Sequence, residues 1–479
     1  MRIFLLLFVF AILASCGGQG NDNSTSNKQT GGLSITAEIQ NMKPGFTYVI
    51  GYYGDQRFKV DSAMVENGRM VLERDNAFPS GLYLLVFPDQ QIVQILLDSD
   101  QSMTIRGNAG NLTATLSIEG QEDTQIMYST MQEEANFNQQ LSDISQKLKG
   151  ATADTPEYEA LLEERKTATL ARQEFLESVF QKYPTSFFTA FKRSGQNPDP
   201  TEVITDQGTV DLTLYRKYFW ENVDFTDPRL LRTPVIANKL KRQIKDFTIQ
   251  RADSIISTAK YLMDLAEQNN EYFQFFANWI ALEYPPGESS LMDAEAVNVF
   301  MVQNYFTEEK AFWSTPEQIQ ALQQRAYTMA QSLVGQTAQD VVSNGPNGET
   351  ISLMKDVTSD YVIVYMFNPD CDHCREETPK LVDLMKRTSK QKMQVFAIAV
   401  DTEDQKWKKF IQDYGIGDFV NVFDPTNRSI YAKYYVDITP EIYILDKSRT
   451  IIAKNLKVFQ IEDAIKRYEQ SLIGSLRDL

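Results

Sequence analysis

The stretch FNPDCDHCREETP, Phe367–Pro379, holds two of the chain's three cysteines and its only histidine. Two thiols with two residues between them can exchange with a disulfide, supply half of a metal site, anchor a haem, or close on each other as an inert staple. A structural zinc site needs four ligands, usually as two separated pairs. Here Cys371, Cys374 and His373 are the Cys and His set, and the histidine sits inside the pair, where it does not readily complete a tetrahedron. No metal is therefore expected. Haem attachment wants a histidine directly after the second cysteine, and Arg375 stands there. A disulfide across a two-residue spacer closes so small a ring that its loop-entropy stabilisation is small.

Thiol–disulfide exchange accounts for more of the pattern. The pair follows an apolar run, YVIVYMF from Tyr361 to Phe367, and opens a segment with helical character. That places Cys371 where unpaired backbone N–H groups and the positive end of the helix dipole favour a thiolate. The dipole contributes up to ~2 kcal/mol in partly buried geometries, against about 1.4 kcal/mol for each pKa unit. His373, if protonated, adds a positive charge nearby, while Asp370 and Asp372 repel a thiolate. A moderately lowered Cys371 pKa is expected. A peroxide-reducing cysteine of the peroxiredoxin pattern has Pro and Thr or Ser upstream at a spacing that VYMFNPDC lacks.

The elements that must position the pair lie in the last third of the chain. NGPNGETISL reads as a hairpin, and YVIVYMF, MQVFAIAVD and VNVFD read as buried strands. They alternate with helices from the cysteines to about Arg387, over EDQKWKKFIQDYG, and near Asn427–Tyr434; EIYILD and TIIAKN then pair, and a helix runs from Ile461. Such alternation predicts a mainly parallel sheet covered on both faces. The order of these elements, with "GQTAQDVVSNGPNGETISL", "VYMFNPDCDHCREETPKL", "FAIAVD" and "YYVDITPEIYILD", resembles the thioredoxin fold. The TlpA/ResA-type thiol–disulfide oxidoreductases of the bacterial envelope are the branch it is most similar to. The resemblance implies that Cys371 attacks, that Cys374 resolves, and that Pro440, after Thr439, is a cis-proline presenting backbone to a substrate chain. It implies no cofactor beyond a redox-active Cys371–Cys374 disulfide. Glu377 matches a glutamate of this branch and could shuttle protons to Cys374, or could be a solvated helix residue. The branch usually has Trp just before the first cysteine; Pro369 and Asp370 replace it here, which alters the expected substrate surface, with Pro369 and Thr439 as its candidates. The branch works reductively, while His before the second cysteine occurs in oxidising relatives, so the direction stays open. Disulfide-containing client proteins and a membrane or periplasmic thiol donor are the implied partners.

The rest of the chain sets the context. With 479 residues the chain is too long for one core. Its net charge of −17 argues against nucleic-acid binding. Arg2 and the apolar Ile3–Leu13 read as a secretory signal. The following LASC ends in Cys16 and resembles a bacterial lipobox, which implies cleavage before Cys16, lipidation there and stable membrane anchoring. The expected site is the cell envelope, at the outer membrane facing the periplasm. Residues 16–32 are then a lipidated cysteine and flexible tether. Residues 33–120 are rich in short strand-like runs with a hairpin signal at Asn67-Gly68, and "KVDSAMVENGRMVLE" followed by "GLYLLVF" resembles the β-rich N-terminal domain of Bacteroidetes-type redox lipoproteins. Residues 121–334 have helical periodicity: Ala168, Ala171, Phe175, Leu176, Val179 and Phe180 line one face of a helix ended by Pro184, and others are expected around Lys239–Glu267, Glu271–Glu283, Ala294–Tyr305 and Thr315–Leu333. The whole is expected to be a multidomain α+β and α/β protein: a signal peptide (1–15), the tether, a sandwich-like β-rich domain, a helical domain, and a thioredoxin-like domain over 335–479. Because most of the mature chain lies outside that last domain, a second reading is a binding or assembly lipoprotein whose β and helical domains recognise a client.

Overall fold

The computed structural model describes residues 32–477 except 199–202, 206–208 and 286–290. The expected signal, Cys16 and the expected tether up to residue 31 lie outside the described residues. Contacts gather the chain into two units, one running through Gly51 and resuming over Phe58–Val179, the other comprising Tyr52–Arg57 and the chain from Phe180 onward.

The first unit is built on β1 (Leu33–Gln40), β2 (Gly45–Tyr53), β3 (Gln56–Glu66), β4 (Arg69–Arg74), β5 (Gly81–Val86), β6 (Ile92–Leu97), β7 (Ser102–Asn108) and β8 (Ser117–Gly120). They form one hydrogen-bonded sheet in the order β6-β5-β2-β3-β4-β1-β7-β8, with β1 and β7 parallel. One core gathers Ile35 and Ile39 of β1 with Val93 and Ile95 of the edge strand β6, so the sheet curves around a shared interior. The β3–β4 hairpin turns on Asn67 and Gly68, both at positive φ, 51° and 74°, the requirement of a two-residue I′ turn. A Cβ on Gly68 would come within 2.5 Å of the Ile39 carbonyl oxygen. After the short α1 (Leu112–Thr115) come α2 (Glu122–Gly150) and α3 (Pro156–Lys182). Arg172 and Glu134 join them at 2.6 Å. On the expected apolar face of α3, Ala168, Leu176 and Phe180 are buried and Phe175 and Val179 half-buried, but Ala171 is exposed.

The second unit holds α4 (Phe187–Ser194), α5 (Leu212–Tyr218), α6 (Pro234–Lys245), α7 (Ala252–Ala266), α8 (Asn270–Glu283), α9 (Ala294–Tyr305) and α10 (Pro316–Ala330). The single helix expected over Lys239–Glu267 is two. The chain turns after Lys245 because side chains there offer the backbone other partners: Thr248 Oγ1 donates to the Gln243 carbonyl at 2.7 Å, and Gln250 Nε2 to that of Ile244 at 2.8 Å. Trp220 is buried among Phe219, Phe225 and Phe276.

The same unit continues into β9 (Val342–Asn344), β10 (Thr350–Ser352), α11 (Leu353–Asp356), β11 (Tyr361–Phe367), α12 (Asp372–Lys386), β12 (Met393–Val400), α13 (Asp404–Tyr414), β13 (Val420–Asp424), α14 (Arg428–Tyr434), β14 (Glu441–Leu445), β15 (Ile451–Ala453) and α15 (Ile461–Arg477). The sheet order is β10-β9-β13-β12-β11-β14-β15. Only β11, β12 and β13 are mutually parallel; β14 runs antiparallel to β11, and β9 to β13. The sheet is thus mixed, a parallel centre with antiparallel flanks. Both faces are covered. Ile363, Tyr365 and Phe367 pack with Leu381, Trp407 and Ile461 on one side, and Val362, Val364 and Met366 with Leu353, Ile430 and Tyr434 on the other. This buries β11 completely after Tyr361 and fixes where its C-terminal end delivers the next residues.

Candidate active site

Asn368 ends the β11 register and anchors the loop that follows. Its Nδ2 donates to the carbonyls of Val400 and Asp401 at 3.2 and 2.8 Å, and its Oδ1 accepts from the Asp370 N–H at 2.8 Å. Cys371 is the N-cap residue of α12, with its N–H bonded to the Asn368 carbonyl at 3.0 Å. Cys371 is half-buried and Cys374, one turn further in, is fully buried; both are free thiols. Across from them the Thr439–Pro440 bond is cis, and the Thr439 carbonyl oxygen lies 3.1 Å from Cys371 Sγ. Cys371, Cys374, Thr439 and Pro440 are therefore brought together from β11–α12 and the start of β14.

The two sulfurs differ in kind. Burial raises the Cys371 thiol, but the N–H groups of Cys374 and His373, the Cys374 thiol and the Thr439 side chain all stabilise its anion, and together they leave it below the ordinary thiol value. Burial pushes Cys374 up to about 12, and the neighbouring Cys371 sulfur adds to that rise against the Asn368 backbone and the Thr439 side chain.

His373 acts through its backbone. Its imidazole is exposed, with Nδ1 3.7 Å from Glu376 Oε2, while its amide N–H is one of the donors that stabilise the Cys371 anion. Asp370 and Asp372, expected to oppose the thiolate, are paired elsewhere. Asp370 lies 2.7 Å from Lys406 and 3.8 Å from Arg375, and Asp372 3.3 Å from Arg375. Arg375 Nε also donates to the Pro369 carbonyl at 3.0 Å. Pro369 itself is buried. As a correction to its expected place on the substrate surface, it is a packed residue of the loop, buried between the anchored Asn368 and the exposed Asp370 in sequence. Glu377 accepts from the Val458 N–H at 3.0 Å and from Lys380 Nζ at 2.6 Å. Burial raises its carboxyl, but those two donors outweigh burial and hold it below the usual carboxylate value.

Sequence reasoning missed Tyr365 and Thr378. The two hydroxyls are 2.7 Å apart, and both reach the Cys374 carbonyl, Thr378 at 2.6 Å and Tyr365 at 3.3 Å. A polar hydroxyl in the middle of a buried strand needs a partner, and that rule could have singled out Tyr365. Arg375 and Lys406 were also missed, since exposed pairs give no signal in spacing, and so was Asn368, whose partners are backbone groups of a distant strand end. Among the described residues, no group of three or more His, Cys, Asp or Glu side chains is placed to hold a metal ion.

Comparison with known proteins bears on this site. The AhpC/TSA family matches residues 334–454. A Cytophaga hutchinsonii structure, described as a domain of possible thiol-disulfide isomerase, is 34% identical, over 30% of this chain and 97% of its own, with a TM-score of 0.28. The chain belongs to the TlpA-like thioredoxin-fold proteins. A thioredoxin-like protein from Bacteroides caccae is 18% identical, over 56% of this chain and 96% of its own, with a TM-score of 0.47. A thiol:disulfide interchange protein from Bacteroides sp. is 21% identical over 29% of this chain and 91% of its own, at 0.27. Residues 33–127 match a domain of unknown function, DUF4369. A search of curated proteins returns no match. Among the described residues of this TlpA-like chain, no helix is long and apolar enough to cross a membrane.

Proposed function

We propose that this protein is a thiol–disulfide oxidoreductase of the bacterial cell envelope that reduces disulfides in client proteins. The contrast between a half-buried, acidified Cys371 and a fully buried Cys374 pushed up to about 12 carries the reading. The Cys371 thiolate attacks one sulfur of a client disulfide. A Cys371–client bond forms, and the other client sulfur leaves as a thiolate that takes a proton from solvent. The Cys371 charge that helped hold Cys374 protonated is then gone, so Cys374 is freer to ionise. It attacks Cys371 Sγ, its proton passes to the departing client sulfur, and a Cys371–Cys374 disulfide remains. Two electrons have moved from the pair to the client. A membrane or periplasmic thiol donor restores the dithiol.

Thr439 and Pro440 face Cys371 and form the platform for the client backbone. Glu377, ionised and bonded to Val458 and Lys380, supports the geometry of α12 more directly than proton transfer to Cys374. Cys16, lipidated after cleavage of residues 1–15, anchors the chain to the outer membrane facing the periplasm. The test is the Cys374→Ser variant, which should accumulate mixed disulfides through Cys371 when incubated with a disulfide-bonded polypeptide such as insulin. If no adducts form and the parent reduces no insulin, the exchange reading is wrong.

A further inference from the structure

Two groups of charges join the helical segment to the loop that carries the cis-proline, and the exchange chemistry does not use them. Before the loop, Arg325 of α10 donates from Nε to the Tyr435 hydroxyl and stands 3.9 Å from the Asp437 carboxylate. Tyr435 is buried and left-handed at the end of α14, at φ 51°, four residues before Thr439. After the loop, Lys454 is fully buried beyond β15. Its Nζ lies 3.5 Å from Glu295 Oε2 and 3.9 Å from Asp293 Oδ1, both at the start of α9, and 4.8 Å from the Tyr443 ring. Asn455 donates to both Glu295 oxygens at 3.0 and 2.9 Å, and Asp293 Oδ2 accepts from the Val334 N–H at 2.9 Å. Glu441, next to Pro440, is buried at the margin of the same cluster.

We propose that the helical segment is a positioning element of the exchange site: Arg325 ahead of the cis-proline, and the Glu295–Lys454 pair behind it, hold the Tyr435–Glu441 loop so that the Thr439 carbonyl stays over Cys371. Several observations carry this. The partners come from α9 and α10, 160 and 110 residues from the side chains they bond. They grip the loop's approach and the strand pair beyond it. Among the loop residues it is Thr439 that meets the site sulfurs, its carbonyl lying 3.1 Å from Cys371 Sγ. A buried ammonium among carboxylates is weak evidence of stability, because desolvation offsets attraction, but it fixes geometry. A client polypeptide would lie along the loop, whereas a small disulfide needs Cys371 alone. Loss of the clamp should therefore act on binding of a polypeptide more than on the chemical step.

This inference rests on the exchange reading, and its test separates the two. The parent, Arg325→Met, Arg325→Lys and the charge-neutral double variant Glu295→Gln/Lys454→Met are assayed with a disulfide-bonded polypeptide and with a small aromatic disulfide. Arg325 is partly exposed, so its replacement strands no buried charge. The expected result is a KM for the polypeptide raised about threefold or more in Arg325→Met and in the double variant, with kcat on the small disulfide within about twofold of the parent. Arg325→Lys should recover part of the loss. Unchanged KM in both, or equal losses on both substrates, overturns the clamp while leaving the exchange reading standing. A parent inactive on both substrates overturns the exchange reading and the clamp with it.

Discussion

The two sheets of this protein are of similar size and differ in what covers them. In β1 buried and more exposed residues alternate along the strand, and the other face of that sheet leaves Tyr48 and Val71 exposed. In β11, β12 and β14 nearly every residue is buried. The two cysteines, Asn368 and the cis-proline all sit at strand ends of this doubly covered sheet. The buried positions of β1–β8 carry no carboxylate or ammonium, whereas β14 begins with the buried Glu441. At the margin of this doubly covered sheet, local donors hold the Cys371 thiol below the ordinary value while burial raises that of Cys374.

The strongest way to break the comparison is Cys371→Ser, expected to bring disulfide reduction to background while leaving the melting transition of the protein in place; residual reduction would move the chemistry away from this sheet. Next, Ile363→Ala on β11 should cost about 2–5 kcal/mol in denaturant unfolding, as buried large-to-small changes do. A third effect sharpens the electrostatic difference. Burial pushes the Glu441 carboxyl up to about 8, partly countered by Lys454, against about 4.3 for an unfolded glutamate. The folded state then holds a proton the unfolded state has lost, so this group's contribution to stability falls as pH rises from about 4.3 through about 8. Glu441→Gln should lose less melting temperature between pH 6 and pH 9 than the parent; an equal or larger loss would count against the buried acid. The smallest effect belongs to the open face, where Val71→Thr should stay within about 0.5 kcal/mol of the parent.

The sequence carried much of this fold because its signals were local. Asn67-Gly68 announced a hairpin by its backbone demands, the apolar run YVIVYMF announced a strand buried on both sides, and Cys-x-x-Cys announced two thiols at a strand-to-helix junction. Other features were not legible because they depend on side-chain partners that hydrophobic patterning does not reveal, some of them distant in the chain. The break between α6 and α7 rests on side chains competing for helix carbonyls, which periodicity does not register. The sheet direction at β14 is set by tertiary pairing. The pairing of Asp370 requires Lys406, 36 residues on. The His373 ring looked electrostatically important from its position between the cysteines, yet a helix start turns that side chain outward while aiming its N–H at the sulfur. At that spacing the amide, not the ring, is the local donor.

The difference between the two sulfurs is tested most directly by alkylating the fully reduced protein with iodoacetamide across pH 5 to 10 and locating the adducts by mass spectrometry. The account expects Cys371 to react first, with a half-maximal rate below the pH of an ordinary free thiol, and Cys374 to stay unmodified throughout. Equal modification of both residues, or a Cys371 that titrates no lower than a free thiol, would contradict it.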